Sequence, residues 1–194
     1  MKNKFFLFIV MLVISTMNSI AQNSNDVFVT DTRISKPYHF IQIKGEMNVK
    51  IVQDEMPGVV VEGNNYQVGN TVTMLRNDTL FVYQTNTRIG DRRTRVIINA
   101  DNLVLLDVTG KTRVDCSGLV NSDYLTVRAK DGAQIKLDVR AIKVESKVTG
   151  CSFIILSGST VSNVEATDGC GNIDSHSLDV MDRKGTSKFM CSEC

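Results

Sequence analysis

The chain has 194 residues, with 22 Lys and Arg against 21 Asp and Glu, no Trp and two Pro. A net charge of +1 gives no electrostatic case for binding nucleic acid or an anionic lipid surface. Val, Ile and Thr are frequent and no window of helical apolar spacing stands out, which favours strands over helices.

The N-terminus opens on Met1-Lys2-Asn3-Lys4, runs apolar from Phe5 to Ile14 and ends small at Ser19-Ile20-Ala21. These are the parts of a cleavable signal peptide, residues 1–21. The apolar run is too short to cross a bilayer, which takes about 20 residues. Cleavage after Ala21 starts the mature chain at Gln22 and leaves 20 basic residues against 21 acidic ones. No second hydrophobic span follows, so the mature chain is expected to lack a transmembrane segment. The expected location is the periplasm, the cell surface or the medium.

Residues 22–35 begin polar (Gln22 to Asp26) and read as a flexible lead-in. Strand signals then follow closely. Phe40, Ile43, Val49, Ile51 and Val59-Val60-Val61 sit in short runs broken at Gly45, Pro57-Gly58 and Gly63. Thr71–Leu75 and Leu80–Tyr83 flank an Asn77-Asp78 turn, and Val96–Ile98 comes next. This strand-rich part spans 36–102.

From 103 to 194 the pattern becomes periodic. Gly110, Gly132, Gly150, Gly169 and Gly185 lie 22, 18, 19 and 16 residues apart, each between short apolar pairs such as Leu125/Val127 and Ile135/Leu137. A period near 20 is the mark of a solenoid, in which stacked units bury a face that one unit cannot bury alone. The rival is an antiparallel sandwich, which would show two-residue hairpin turns at closer spacing.

The segment Phe40-Ile41-Gln42-Ile43-Lys44-Gly45-Glu46-Met47-Asn48-Val49-Lys50-Ile51-Val52-Gln53, with Val59–Gly63 and Asp78–Val82, resembles the opening of the "putative auto-transporter adhesin, head GIN domain" family. The Gly-centred units resemble its later repeats. The resemblance implies an exported, right-handed β-helix-like fold and an adhesin-type role. It supplies no catalytic residues. The chain departs from the pattern at Gly110-Lys111-Thr112, Gly132-Ala133-Gln134, Gly150-Cys151-Ser152, Gly169-Cys170-Gly171 and Gly185-Thr186-Ser187, where Gly-Ala-Ser or Gly-Ser is usual. The expected fold is an all-β, right-handed single-stranded β-helix or β-solenoid over 36–194, with about 20 residues per rung.

The cysteines carry the sharpest expectation. Cys151 and Cys170 each follow a repeat Gly in consecutive units. Equivalent positions on paired strands lie about 4.8 Å apart, within reach of a disulfide. The competing reading is two buried thiols. Cys191 and Cys194 form a C-x-x-C that could close locally, or Cys191 could pair with Cys116. A zinc site lacks paired C-x-x-C spacing. The Asp168–Asp174 segment has the composition of a calcium-binding repeat but occurs once, and reads better as a polar turn.

Arg88, Arg92, Arg93 and Arg95 share one segment and offer an anion or acidic-glycan contact, against the plainer reading of a solvated loop. Asp107, Asp115, Asp123 and Asp131 recur every eight residues, a strand-and-turn rhythm rather than a carboxylate pair. His39 and His176 lie in no triad motif, and no phosphate-binding loop or metalloprotease motif occurs. No cofactor is called for. The function expected is an exported non-enzymatic binding or structural module, its partner a glycan or an envelope protein. The alternative is a β-helix polysaccharide lyase or hydrolase.

Overall fold

The computed structural model describes residues 28–34, 36–86, 93–182 and 187–190. Thirteen strands follow in chain order. They are β1 (Phe28–Ile34), β2 (Phe40–Lys44), β3 (Met47–Gln53), β4 (Gly58–Asn64), β5 (Thr71–Arg76), β6 (Thr79–Gln84) and β7 (Thr94–Ala100). Then come β8 (Leu105–Thr109), β9 (Arg113–Lys130), β10 (Gln134–Thr149), β11 (Phe153–Asp168), β12 (Asn172–Val180) and β13 (Ser187–Met190). A six-residue helix, α1 (Asn65–Asn70), starts on a capping box: Asn64 Oδ1 accepts from Gln67 N, and Gln67 Oε1 accepts from Asn64 N, each at 2.9 Å.

The right-handed single-stranded β-solenoid is corrected. All strands belong to one mixed sheet that curls into a nearly closed barrel. Pairs β1–β4, β4–β7 and β5–β6 are antiparallel. Chain order is also not spatial order, because β3 lies between β7 and β9, and β2 between β6 and β8. Local turns are the physical reason. Asn77 and Asp78 take positive φ of 47° and 62°, making a two-residue turn that reverses the chain between β5 and β6. Once β2 and β3 are in place, β6 and β7 dock on one side of them, and β8 and β9 on the other.

Four of the periodic glycines, Gly110, Gly132, Gly150 and Gly169, mark turns between parallel partners, and Gly185 lies outside the described residues. β10 pairs with β11 at a constant 19-residue offset, from Gln134↔Phe153 to Thr149↔Asp168. Gly110, Gly132, Gly150 and Gly169 all have positive φ. At Gly110 a Cβ would also lie 2.5 Å from the carbonyl oxygen of Gly45, a contact no side chain tolerates.

The long strands wrap because their inward parity switches. On β10 the buried residues are Ile135, Leu137, Val139 and Ala141, then Val144, Ser146 and Val148. The break at Ile142-Lys143 turns the strand through a corner, and β11 switches at the equivalent Val161-Ser162. One apolar core results. Its straightest row is Val96–Val49–Val114–Ile135–Ile154–Ile173, paired strand to strand and buried throughout. Another row, Leu80–Ile41–Leu106–Val127–Ser146–Glu165, turns polar at its β11 end. There Asn163 Nδ2 donates to Glu165 Oε1 at 2.8 Å, and the Ser175 hydroxyl bonds the same oxygen.

Two polar ties close the N-terminal edge. Arg33 bonds Asp31 Oδ2 and the Thr71 carbonyl oxygen, each at 2.8 Å, and so fastens β1 to the end of α1. The buried Tyr38 hydroxyl donates to the Asn99 carbonyl at 2.5 Å, with the Gly58 carbonyl at 3.2 Å. Burial pushes its phenol well above the usual tyrosine value.

Two substitutions in different buried rows of β10 should act oppositely. Ile135→Ala opens a cavity in the buried row and is expected to cost about 3 kcal/mol in denaturant unfolding. Ser146 Oγ is buried without a hydrogen-bond partner among the described residues. Ser146→Ala is therefore expected to be neutral or to stabilise by about 1 kcal/mol.

Candidate functional site

Two arginines of the sequence-predicted contact, Arg88 and Arg92, lie outside the described residues, as do Cys191 and Cys194. Arg93 and Arg95 flank inward Thr94 at the start of β7 and are both exposed. Arg93 Nη1 donates to the Lys111 carbonyl at 3.1 Å, and Arg95 Nη1 lies 3.5 Å from Glu62 Oε2. Both therefore stand on the outer face of the wall formed by β7, β3 and the first halves of β9, β10 and β11.

Register builds that face. Arg95 opposes Asn48, which opposes Arg113, then Gln134, Phe153 and Asn172. The next outward row is Ile97, Lys50, Asp115, Lys136, Ile155 and Asp174. Six strands at about 4.8 Å each make a strip about 24 Å long. Arg113 Nε and Nη2 reach Gln134 Oε1 at 3.3 and 3.0 Å, which holds the guanidinium flat along the strip. Phe153 and Ile155 are 46% and 43% exposed, large for apolar side chains. With Arg113, Asp115, Gln134 and Lys136 they line a shallow groove of 470 Å³. Cations outnumber acids, since Arg93, Arg95, Lys50, Lys111, Arg113 and Lys136 share the surface with Glu46, Glu62, Asp115 and Asp174.

Sequence reasoning found Arg93 and Arg95 but missed Arg113, Lys136, Phe153 and Ile155. A usable signal was present. Arg113, Gln134, Phe153 and Asn172 each stand two or three residues after a repeat glycine, so aligning the units on Gly would have stacked them. Their distance from Arg95 along the chain hid the rest.

Cys151 and Cys170 are joined by a disulfide, with Cα atoms 4.9 Å apart. It links the β10–β11 turn to the β11–β12 turn at the edge of the same wall. Cys116 is free and half-buried, at a bulge where Lys136 opposes Asp115 but Asp138 opposes Leu119. Its Sγ accepts from Asp138 N at 3.1 Å, and burial pushes the thiol up.

The histidines sit apart, His39 Nδ1 lying 2.8 Å from Asp78 Oδ2 and His176 Nδ1 2.8 Å from Asp174 Oδ1. The His176 hydrogen bond holds the exposed Asp174 carboxyl below its usual range. Among the described residues no group of His, Cys, Asp and Glu is arranged to hold a metal, and no helix is long and apolar enough to cross a membrane.

Solved structures share this fold, among them the following three. A putative adhesin from Parabacteroides distasonis ATCC 8503 aligns with a TM-score of 0.65 at 14% identity, over 86% of this chain and 79% of that one. A putative adhesin from Bacteroides fragilis NCTC 9343 aligns at 0.54 and 14% identity, over 86% and 96%. A "putative lipid binding protein" from Parabacteroides distasonis ATCC 8503 aligns at 0.60 and 14% identity, over 80% and 76%. No match is found among curated proteins.

The disulfide closes a loop for which chain-entropy arguments give about 3 kcal/mol. Replacing both Cys151 and Cys170 by Ser is expected to lower unfolding stability by about that amount. In peptide-resolved alkylation of the native protein, Cys116 should react much more slowly than a model thiol, because little thiolate is present at neutral pH. A disulfide and an adhesin-type family both point to an extracytoplasmic protein. The family model of the "putative auto-transporter adhesin, head GIN domain" matches residues 37–184, and the chain belongs to that family.

Proposed function

We propose that the protein is an exported, non-enzymatic binding module. Its β7–β3–β9–β10–β11 wall would take an extended anionic ligand, an acidic glycan strand at the cell envelope. One observation carries the reading: the outward row Arg95–Asn48–Arg113–Gln134–Phe153, a line of cationic, amide and aromatic side chains at strand spacing. Such a line meets a linear polymer at several points, each weak alone, and the sum gives affinity without a deep pocket. Guanidinium groups grip carboxylate or sulfate in two-point fashion, and the exposed Phe153 ring supplies apolar contact. Residues 1–21 would serve as the export leader, with Gln22 the first residue of the mature chain. An adhesin-type family is consistent with binding rather than chemistry.

The test is binding to immobilised uronate and sulfated glycans at two salt concentrations. Wild-type protein is expected to bind and to weaken as salt rises. The double reversal Arg95→Glu with Arg113→Glu should reduce binding at least tenfold while leaving thermal unfolding little changed, since both side chains are exposed. Unchanged binding in that variant would overturn the assignment of this wall. The intact mass of the exported protein should match a chain that starts at Gln22, with that residue free or cyclised to pyroglutamate.

A further inference from the structure

We infer that the opposite outer wall, where β6, β2, β8 and the end of β9 meet, carries a second and separate site that takes a single sugar ring. The site goes beyond the reading of the Arg113 wall and does not depend on it. β2 pairs with β6 on one side and with β8 on the other, and β8 pairs with β9. Outward residues thereby align as Phe81–Gln42–Asp107–Arg128 and Tyr83–Lys44–Thr109–Lys130. A groove of 310 Å³ lies over all of these but Arg128. Phe81 and Tyr83, two residues apart on β6 and both half-buried, form one wall of it.

Asp107 decides the chemistry. Its side chain is only 16% exposed. Oδ2 lies 3.6 Å from Lys130 Nζ. Oδ1 is buried and has no hydrogen-bond partner among the described residues. Oδ1 is thus closed off from the groove, and Oδ2 is the carboxylate oxygen left to accept from a ligand. A bare inorganic anion could pair with Lys44 and Lys130 but would leave Asp107 and the two aromatic rings unmatched. A purely apolar ligand would leave the oxygen, Lys44, Gln42 and Lys130 unmatched. A sugar ring fits all of them. One hydroxyl donates to Asp107 Oδ2, its neighbours accept from Lys44, Lys130 or Gln42, and the C–H face of the ring lies on Tyr83 or Phe81. Ligand sites of this kind combine apolar lining with a few placed polar groups. Because the recognition rests on a donor to a carboxylate, the sugar needs no negative charge.

The experiment is saturation-transfer NMR and titration with neutral probes, cellohexaose, mannohexaose and chitohexaose, run beside the acidic glycans used for the other wall. Binding of at least one neutral probe is expected, lost at least tenfold in Asp107→Ala and in Tyr83→Ala. Exposed Gln42→Ala should weaken it severalfold with no change in thermal unfolding, which guards against a folding artefact. The Arg95→Glu, Arg113→Glu variant should bind the neutral probe as well as wild type does. The inference is overturned if none of the three neutral probes binds at millimolar concentration. It is equally overturned if binding persists in Asp107→Ala, or vanishes only in the Arg95 and Arg113 variant.

Discussion

The row of aliphatic side chains from Val96 through Val49, Val114, Ile135 and Ile154 to Ile173 is the constraint on which the rest depends. Each residue is buried, and each sits opposite the next at strand spacing. Moving any one strand by one residue would turn its apolar set outward, so the row fixes the register of six strands at once. It also joins segments far apart in sequence. β3 binds β7 on one side and β9 on the other, which makes residues 47–53 the central strand between the two halves of the chain.

Outer faces follow from the inner one. Because alternate residues point inward, fixing the core row also fixes which side chains stand in line outside. Arg95, Asn48, Arg113, Gln134 and Phe153 are aligned because Val96, Val49, Val114, Ile135 and Ile154 are. On the other wall, Leu80, Ile41 and Leu106 set Phe81, Gln42 and Asp107 in line in the same way. The parity switch at Ile142-Lys143 keeps these two outer surfaces separate, since it turns each long strand around the core. The Cys151–Cys170 bridge holds two successive turns in the spacing that the register sets, and resists separation of β10 from β11 at that edge.

The binding role proposed for this wall draws on area and repetition rather than on strained, desolvated chemistry. The parallel ladder gives area, and it does so with exposed ion pairs that contribute little to stability. A surface of this kind can change its charged and aromatic side chains without disturbing the core. That is consistent with a fold held in common by proteins only 14% identical to this one.

The amino-acid sequence by itself determined the strand content, the turn at Asn77-Asp78, the glycine-centred turns after residue 100 and the closeness of Cys151 to Cys170. Each rests on interactions within about 20 residues of chain, where alternation, turn chemistry and period are written locally. It could not determine that β2 and β3 insert between β6–β7 and β8–β9, nor that β1, β4 and β7 pair antiparallel. Those choices set one apolar strand against another of nearly equal hydrophobicity, and only the shared core distinguishes them. The solenoid expectation failed at that step, because a period near 20 specifies the offset of β10 on β11 and says nothing about the segments before residue 100. The candidate surfaces divide in the same way. Arg93 and Arg95 were legible as neighbours, whereas Arg113, Phe153 and the Asp107 groove became sites only when the tertiary register brought distant strands side by side.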